Sequence, residues 1–290
     1  MYKLVAVDLD GTLLNCYGEV TENTKRVIKE TIGKGTEVVI ASGRNIDSIK
    51  TIAEEVQASK YIIAGNGAVV YDRKKDEILY EKYIPKTKAV DIIRICEQNS
   101  IYYNVYTNKS IVASSLRYNA LYYYKENLKK EDNKRTHITL VDDIEKYINE
   151  SKDERIIKIF ICDSNKTIFN SIIRKFTQIE DVDVLDVSHM SRKIIKRGTI
   201  QVPIEYYYTE ISMKNVDKWF AIEFLMGKLG IKKEEVIAIG DNTNDKRMIQ
   251  EAEVGITLKG SAPNITEIAD YITDDNNNEG VAKVLEKFVN

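Results

Sequence analysis

Two aspartates stand two residues apart where a short apolar run ends, in the stretch from Val5 to Leu14 that reads VAVDLDGTLL. Lys3 to Val7 is β-branched and apolar without a helical period, which predicts a strand buried on both faces of a parallel sheet. Residues two apart on an extended chain project to the same side, so Asp8 and Asp10 can address one point while Leu9 turns into the fold. Two carboxylates held together repel each other unless a cation lies between them, and hard oxygen ligands suit Mg²⁺. The same run also fits a strand entering a plain Asp-Gly turn at Gly11.

Three other places carry groups of matching chemistry. Glu37 to Ala41 is a second buried strand ending in Ser42-Gly43-Arg44, ahead of a helical pattern through Ile46, Ile49, Ile52 and Val56. A hydroxyl, a glycine and a cation at such a junction suit an anion, because free amides at a helix start point toward it; Ser42 equally fits a simple helix cap. Tyr61 to Ala64 is a third apolar run, followed by Gly65-Asn66-Gly67-Ala68. Glu235 to Ile239 is a fourth, ending in Gly240-Asp241-Asn242-Thr243-Asn244-Asp245, and Lys218 opens the helix before it, which Gly230 closes.

Strands separated by helices predict an α/β, doubly wound, Rossmann-type parallel sheet, in which ligands gather beyond the carboxyl ends of the strands. Asp8, Asp10, Ser42 and Asp241 to Asp245 all fall at that end. Carboxylates for a metal, a hydroxyl with amides for an oxyanion and an ammonium around one cleft describe phosphoryl transfer, where catalysis is mostly positioning and charge neutralisation.

Between Pro85 and about Met213 the character changes to mixed helices and alternating strands rich in tyrosine. Ala89 to Glu97 and Thr167 to Phe176 read as helices, and Tyr102 to Thr107, Ser110 to Ala113 and Ile156 to Cys162 as strands. The triplets Tyr122 to Tyr124 and Tyr206 to Tyr208 read as packing rather than ligand stacking. The charged run from Leu128 to Arg135 reads as a solvated segment, and His137 and His189 as structural. The domain division expected is 1–84 with 214–290 as the core, and 85–213 as an insertion.

The chain is 290 residues long, with 43 basic and 45 acidic residues and a formal charge of -2. With no block of one sign, there is no electrostatic footprint for nucleic acid. Cys16, Cys96 and Cys162 are odd in number and widely spaced, which argues against a disulfide framework or a zinc site. No apolar run approaches the roughly 18 residues of a membrane span, and no leader pattern opens the sequence. The expectation is a soluble cytoplasmic protein, monomer or homodimer.

Asp8-x-Asp10-Gly11-Thr12, Ser42-Gly43-Arg44, Asn66-Gly67-Ala68, Lys218 and Gly240-Asp241-x-x-Asn244-Asp245 resemble the ordered motifs of the haloacid dehalogenase superfamily, and more narrowly its Cof-type phosphatases. The resemblance runs over nearly the whole chain. It implies a Mg²⁺-dependent phosphatase of small phosphorylated metabolites such as sugar phosphates, with the 85–213 insertion as a mobile α/β cap that selects the substrate. By the same resemblance Asp8 is the nucleophile, Asp10 the general acid and base, and Ser42 and Gly43 hold phosphoryl oxygens. Lys218 balances charge, and Asp8, Asp241 and the Asp10 carbonyl bind Mg²⁺ with Asp245 behind them. Asn244 lies near the phosphate, with Arg44 and Asn66 on the substrate side. A phosphomutase or other phosphotransferase on the same scaffold, and a binding protein without turnover, are the alternatives. Trp219, where relatives usually have glycine, and Lys259-Gly260-Ser261, where they commonly have a Gly-Asn-Ala turn, depart from the pattern.

Overall fold

The apolar runs ending in polar residues become the parallel strands of one sheet. In the computed structural model the described residues are 2–58, 60–128, 131–132, 135–185, 191–197 and 200–289. His189 and part of the charged run from Leu128 to Arg135 lie outside them. The chain divides into two units, Met1–Glu81 with Val216–Asn290, and Lys82–Asn215.

The first unit begins with β1 (Leu4–Val7), α1 (Glu22–Gly33), β2 (Glu37–Ala41), α2 (Ile46–Glu55) and β3 (Tyr61–Ala64), then the pair β4 (Val69–Asp72) and β5 (Glu77–Glu81). The second unit holds α3 (Lys86–Gln98), β6 (Tyr102–Thr107), β7 (Ile111–Ala113), α4 (Tyr118–Asn127), β8 (Ile138–Leu140) and α5 (Ile144–Glu150). It continues with β9 (Ile156–Asp163), α6 (Lys166–Phe176), β10 (Val182–Val184), β11 (Ser191–Arg197) and β12 (Ile200–Met213). The chain returns to the first unit in α7 (Lys218–Leu229), β13 (Val236–Ile239), α8 (Lys246–Glu251), β14 (Val254–Leu258), α9 (Pro263–Thr266), β15 (Tyr271–Thr273) and α10 (Gly280–Phe288).

Among the described residues the first sheet runs β15-β14-β13-β1-β2-β3-β4-β5. It is parallel from β15 to β3, and β4 and β5 are antiparallel additions at one edge. β1 lies between β13 and β2, with all four of its side chains buried. Alternation sends Leu4 and Ala6 to one face, where they join Trp219, Ile222 and Leu225 of α7 and Met248 and Ile249 of α8; α1 and α10 pack together against the other face. Each such fully buried Leu or Ile contributes about 1.5–3 kcal/mol, so the strand ends that carry polar residues rest on a stiff platform. Trp219 is only 2% exposed. Its indole fills this core.

Helix ends follow local chemistry. Thr21 caps α1 and Asn45 caps α2, each accepting a backbone amide, and Gly230 ends α7 in the left-handed region. Asn45 thus takes the capping role considered for Ser42. The short α9 has Pro263 at its start, where its fixed φ suits the first turn, and Glu267, still helical at φ -68° and ψ -24°, as its C-cap.

The second unit, taken by itself, is a mostly antiparallel sheet in the order β10-β12-β9-β6-β7-β8, with β11 paired to β12. Tyr103, Val105, Ile159 and Ile161 share one core with residues of α3, α5 and α6. The alternate positions Tyr102, Phe160 and Cys162 gather instead with Tyr206 and Tyr118. Tyr206 is buried, as expected of a packing tyrosine, whereas Tyr124 is exposed. Among the described residues no helix is long and apolar enough to cross a membrane.

Candidate active site

Register alone brings the key residues to one rim. Val7 is level with Ile239 of β13 and Ile40 of β2, so the next residues, Asp8, Gly240 and Ala41, stand side by side where the strands end. The Asp8 amide donates to the Ile239 carbonyl at 2.9 Å, extending the ladder by one residue. Asp8 is 5% exposed. Two glycines make room for carboxylates: a Cβ on Gly240 would lie 2.5 Å from Asp245, and one on Gly11, where φ is +88°, 2.5 Å from Asp241. Side chains at either place would push an acid out of the site.

Lys218, at the first turn of α7, is fully buried and donates to Oδ1 of Asp8 and, at 2.6 Å, to Oδ1 of Asp245. The other Asp245 oxygen accepts the amides of Asp241 and Asn242, each at 3.1 Å. Asp245 therefore fixes both the lysine and the backbone that carries Asp241. Thr12 donates to Asp241 Oδ1 at 2.6 Å, linking the loop after β1 to the loop after β13.

Among the described residues, Asp8, Asp241 and Asp245 form a group whose carboxylate oxygens lie within 4.8 Å of one another. Three carboxylates face one ammonium. Burial, then the carboxylates of Asp245 and Asp241, hold Asp8 well above the usual carboxylate range, with Lys218 opposing. Burial and Asp245 likewise push Asp241 up to about 6. Burial works against the charge of Lys218, but Asp245 and Asp8 outweigh it and raise its pKa. An all-oxygen set with excess negative charge fits a hard divalent cation such as Mg²⁺.

Asp10 stands apart from this group. Its side chain is 57% exposed and paired with Arg44, whose Nε donates to Oδ2 at 2.8 Å and Nη2 to Oδ1 at 2.5 Å. Ser42 is buried, and its Oγ accepts the Arg44 amide at 3.2 Å. Asn66, in the left-handed region at φ 56°, accepts from Asn244 Nδ2 at 3.1 Å. A Cβ on Gly43 would meet that same Asn66 oxygen at 2.7 Å. The rim thus collects Asp8, Asp10, Ser42, Gly43, Arg44, Asn66, Lys218, Asp241, Asn244 and Asp245 within the first unit. The Lys259-Gly260-Ser261 loop adjoins it through the Ala262 amide, which donates to the Asp241 carbonyl at 3.2 Å. Thr12 to Asp241 and Arg44 to Asp10 are among the contacts that went unread in the sequence. A hydroxyl directly after the Asp-Gly turn was the one available signal for the first.

The profile of the haloacid dehalogenase-like hydrolases matches residues 5–285. The chain belongs to this family. Phosphatase YwpJ of Bacillus subtilis (strain 168) is similar to it, 27% identical over 303 residues that cover 99% of this chain and 100% of that protein. A second relative from the same organism, 5-amino-6-(5-phospho-D-ribitylamino)uracil phosphatase YcsE, is 24% identical, with 99% and 96% covered. A solved haloacid dehalogenase-like hydrolase structure from B. subtilis matches with a TM-score of 0.81 at 23% identity, covering 99% of each chain. The haloacid dehalogenase-like core and its inserted α/β unit are those of the Cof-type branch, and the protein is an enzyme of the phosphoric monoester hydrolase class.

Proposed function

We propose that this enzyme is a Mg²⁺-dependent phosphatase of small phosphorylated metabolites, sugar phosphates among them, working in the cytoplasm through an aspartyl phosphate on Asp8. The observation that carries the reading is Lys218, buried and shared between Asp8 and Asp245 while Asp241 stands beside them. A carboxylate set against an ammonium is a nucleophile whose product, an anionic acyl phosphate, keeps a counter-charge in place. The naming of one relative as a phosphatase of a phosphorylated ribitylamino compound supports a small polyol or sugar ester.

In the proposed sequence an Asp8 oxygen attacks phosphorus, the bond from phosphorus to the leaving oxygen breaks, and Asp10 donates its proton to that oxygen. Asp10 then takes a proton from water as the water oxygen attacks the same phosphorus, and the bond to Asp8 breaks to release orthophosphate. Ser42, the Gly43 amide and Asn244 are assigned to the phosphoryl oxygens, with Asn66 positioning Asn244. Asp8, Asp241 and the Asp10 carbonyl would hold Mg²⁺, with Asp245 behind them; when bound, the ion supplies positive charge against the transferring group. The inserted unit is assigned the choice of substrate.

Phosphate release from p-nitrophenyl phosphate and from a panel of phosphorylated metabolites tests the reading. Turnover is expected with Mg²⁺, lost with chelator and restored by added Mg²⁺, with sugar and polyol phosphates among the better substrates. Turnover indifferent to chelator would refute the metal, and hydrolysis of none of the esters would refute the phosphatase.

The carboxylates also set a pH dependence. Asp241 is raised to about 6 and Asp8 is also raised, so between the ordinary carboxylate range and those values the folded protein holds more protons than the unfolded chain. More protons in the folded state mean that stability falls as pH rises through about 6. A cation among the carboxylates offsets that loss. Mg²⁺ is therefore expected to raise Tm more at about pH 7 than at about pH 5, measured by calorimetry; an equal rise at both would count against this site.

A further inference from the structure

The resemblance puts Arg44 on the substrate side, and in the structure its guanidinium pairs with Asp10. We propose that Arg44 is a positioning residue of the reaction, fixing the plane of the Asp10 carboxylate so that it meets the leaving oxygen. The inference rests on the reading of Asp10 as the proton donor.

The geometry is a planar fork on a planar carboxylate, two hydrogen bonds at 2.8 and 2.5 Å from Nε and Nη2 to different oxygens. Such a pair fixes both the position and the rotation of a carboxylate, which a point charge does not. Asp10 needs that help. It lies past the end of β1, with a side chain 57% exposed, and the next residue, Gly11, has φ +88°. A half-exposed aspartate on a loop samples several rotamers, whereas proton transfer needs one.

Arg44 is itself well anchored. Its amide donates to Ser42 Oγ at 3.2 Å and its carbonyl accepts the Gly65 amide at 2.8 Å. The next residue, Asn45, caps α2. The guanidinium thus starts from a backbone pinned between the ends of β2 and β3, and reaches across to the loop after β1. A pair this exposed adds little to stability, so orientation is the effect that remains.

The test uses the difference between esters that need a proton donor and esters that do not. An alkyl phosphate leaves as a poor alkoxide and depends on the acid; p-nitrophenyl phosphate leaves well without it. Arg44→Gln is expected to slow alcohol release in the first turnover of an alkyl phosphate such as a sugar phosphate about 10- to 100-fold, with first-turnover release of p-nitrophenol within about 3-fold and Tm little changed; the later hydrolysis of the aspartyl phosphate, in which Asp10 is the base, slows alike for both esters. Asp10→Asn should show the same split, larger. The double variant should be no slower on the alkyl ester than Asp10→Asn, because Arg44 has nothing left to position. Arg44→Lys, which keeps the charge without the fork, should not recover the lost first-turnover rate.

If Arg44→Gln raises KM equally for both esters, and its loss adds to that of Asp10→Asn, Arg44 grips substrate and the proposal is wrong. If Asp10→Asn slows the first turnover by the same factor on both esters, the assignment of Asp10 as the acid falls, and the proposal with it. The two failures are told apart by the single Asp10 variant.

Discussion

Asp8→Asn should remove phosphatase turnover by about 10⁴-fold or more, since a missing nucleophile is not replaced by its neighbours. An amide is isosteric with the carboxylate and still offers an oxygen to Lys218, so the lost turnover would not come from a lost fold. In the absence of metal the variant should in fact be more stable than the parent. Asp8 is buried beside Asp245 and Asp241, and burial together with their charge disfavours its ionised form; neutralising it removes that repulsion. The expected pair of results is a higher Tm without metal and no phosphate release. Turnover within about 10-fold of the parent would place the nucleophile elsewhere.

Lys218→Met should be harmful in both respects. The ammonium is fully buried and is the cation that Asp8 and Asp245 share. Removing one partner of a buried pair leaves uncompensated charge, at a cost of about 3–5 kcal/mol. The damage spreads, because Asp245 also holds the amides of Asp241 and Asn242. Turnover should fall by about 10³-fold, the scale of losing a preorganised charge at a transferring group. Urea unfolding and phosphate release measure the two effects. Adding Asp8→Asn should recover part of the stability and none of the activity, as expected for coupled charges. A Lys218→Met protein as stable as the parent would mean that the acids are neutral in the folded state and that the lysine balances nothing.

Much of this site was legible before any coordinates because of how a parallel sheet is built. Strands buried on both faces read as unbroken apolar runs, and the apolar runs of β1, β2, β3 and β13 are followed directly by Asp8, Ser42, Gly65 and Gly240. Residues with chemistry just past those ends must share one rim. What could not be read were contacts fixed by side-chain reach. Arg44 and Asp10 are 34 residues apart, and Thr12 and Asp241 are 229 apart; no periodicity encodes either meeting. The helix-cap role left open for Ser42 falls to Asn45, because both side chains suit it and only the backbone decides where helical geometry begins.

The second unit was read less well for a different reason. Its helix α5 has seven residues with Ile144 and Ile148 as buried anchors, too short for a periodic stripe to stand out. The helix α4 carries the Tyr122 to Tyr124 triplet with few buried positions, so no apolar stripe marks it. In β12 the run of tyrosines alternates in the side it faces: Tyr206 and Tyr208 pack in the aromatic cluster, while Tyr207 lies against Phe169 on the opposite face. Identical residues in a row hide the period of two that would have identified the strand.

The central claim is the covalent step at Asp8. It is tested most directly by mixing enzyme, Mg²⁺ and a phosphate ester, quenching in acid during the first turnover, and finding by mass spectrometry which peptide carries a phosphoryl group. The account predicts the group on the peptide containing Asp8, in the parent protein and absent from Asp8→Asn. Rapid product formation with no phosphorylated peptide at any quench time, or with the group on another residue, would contradict it.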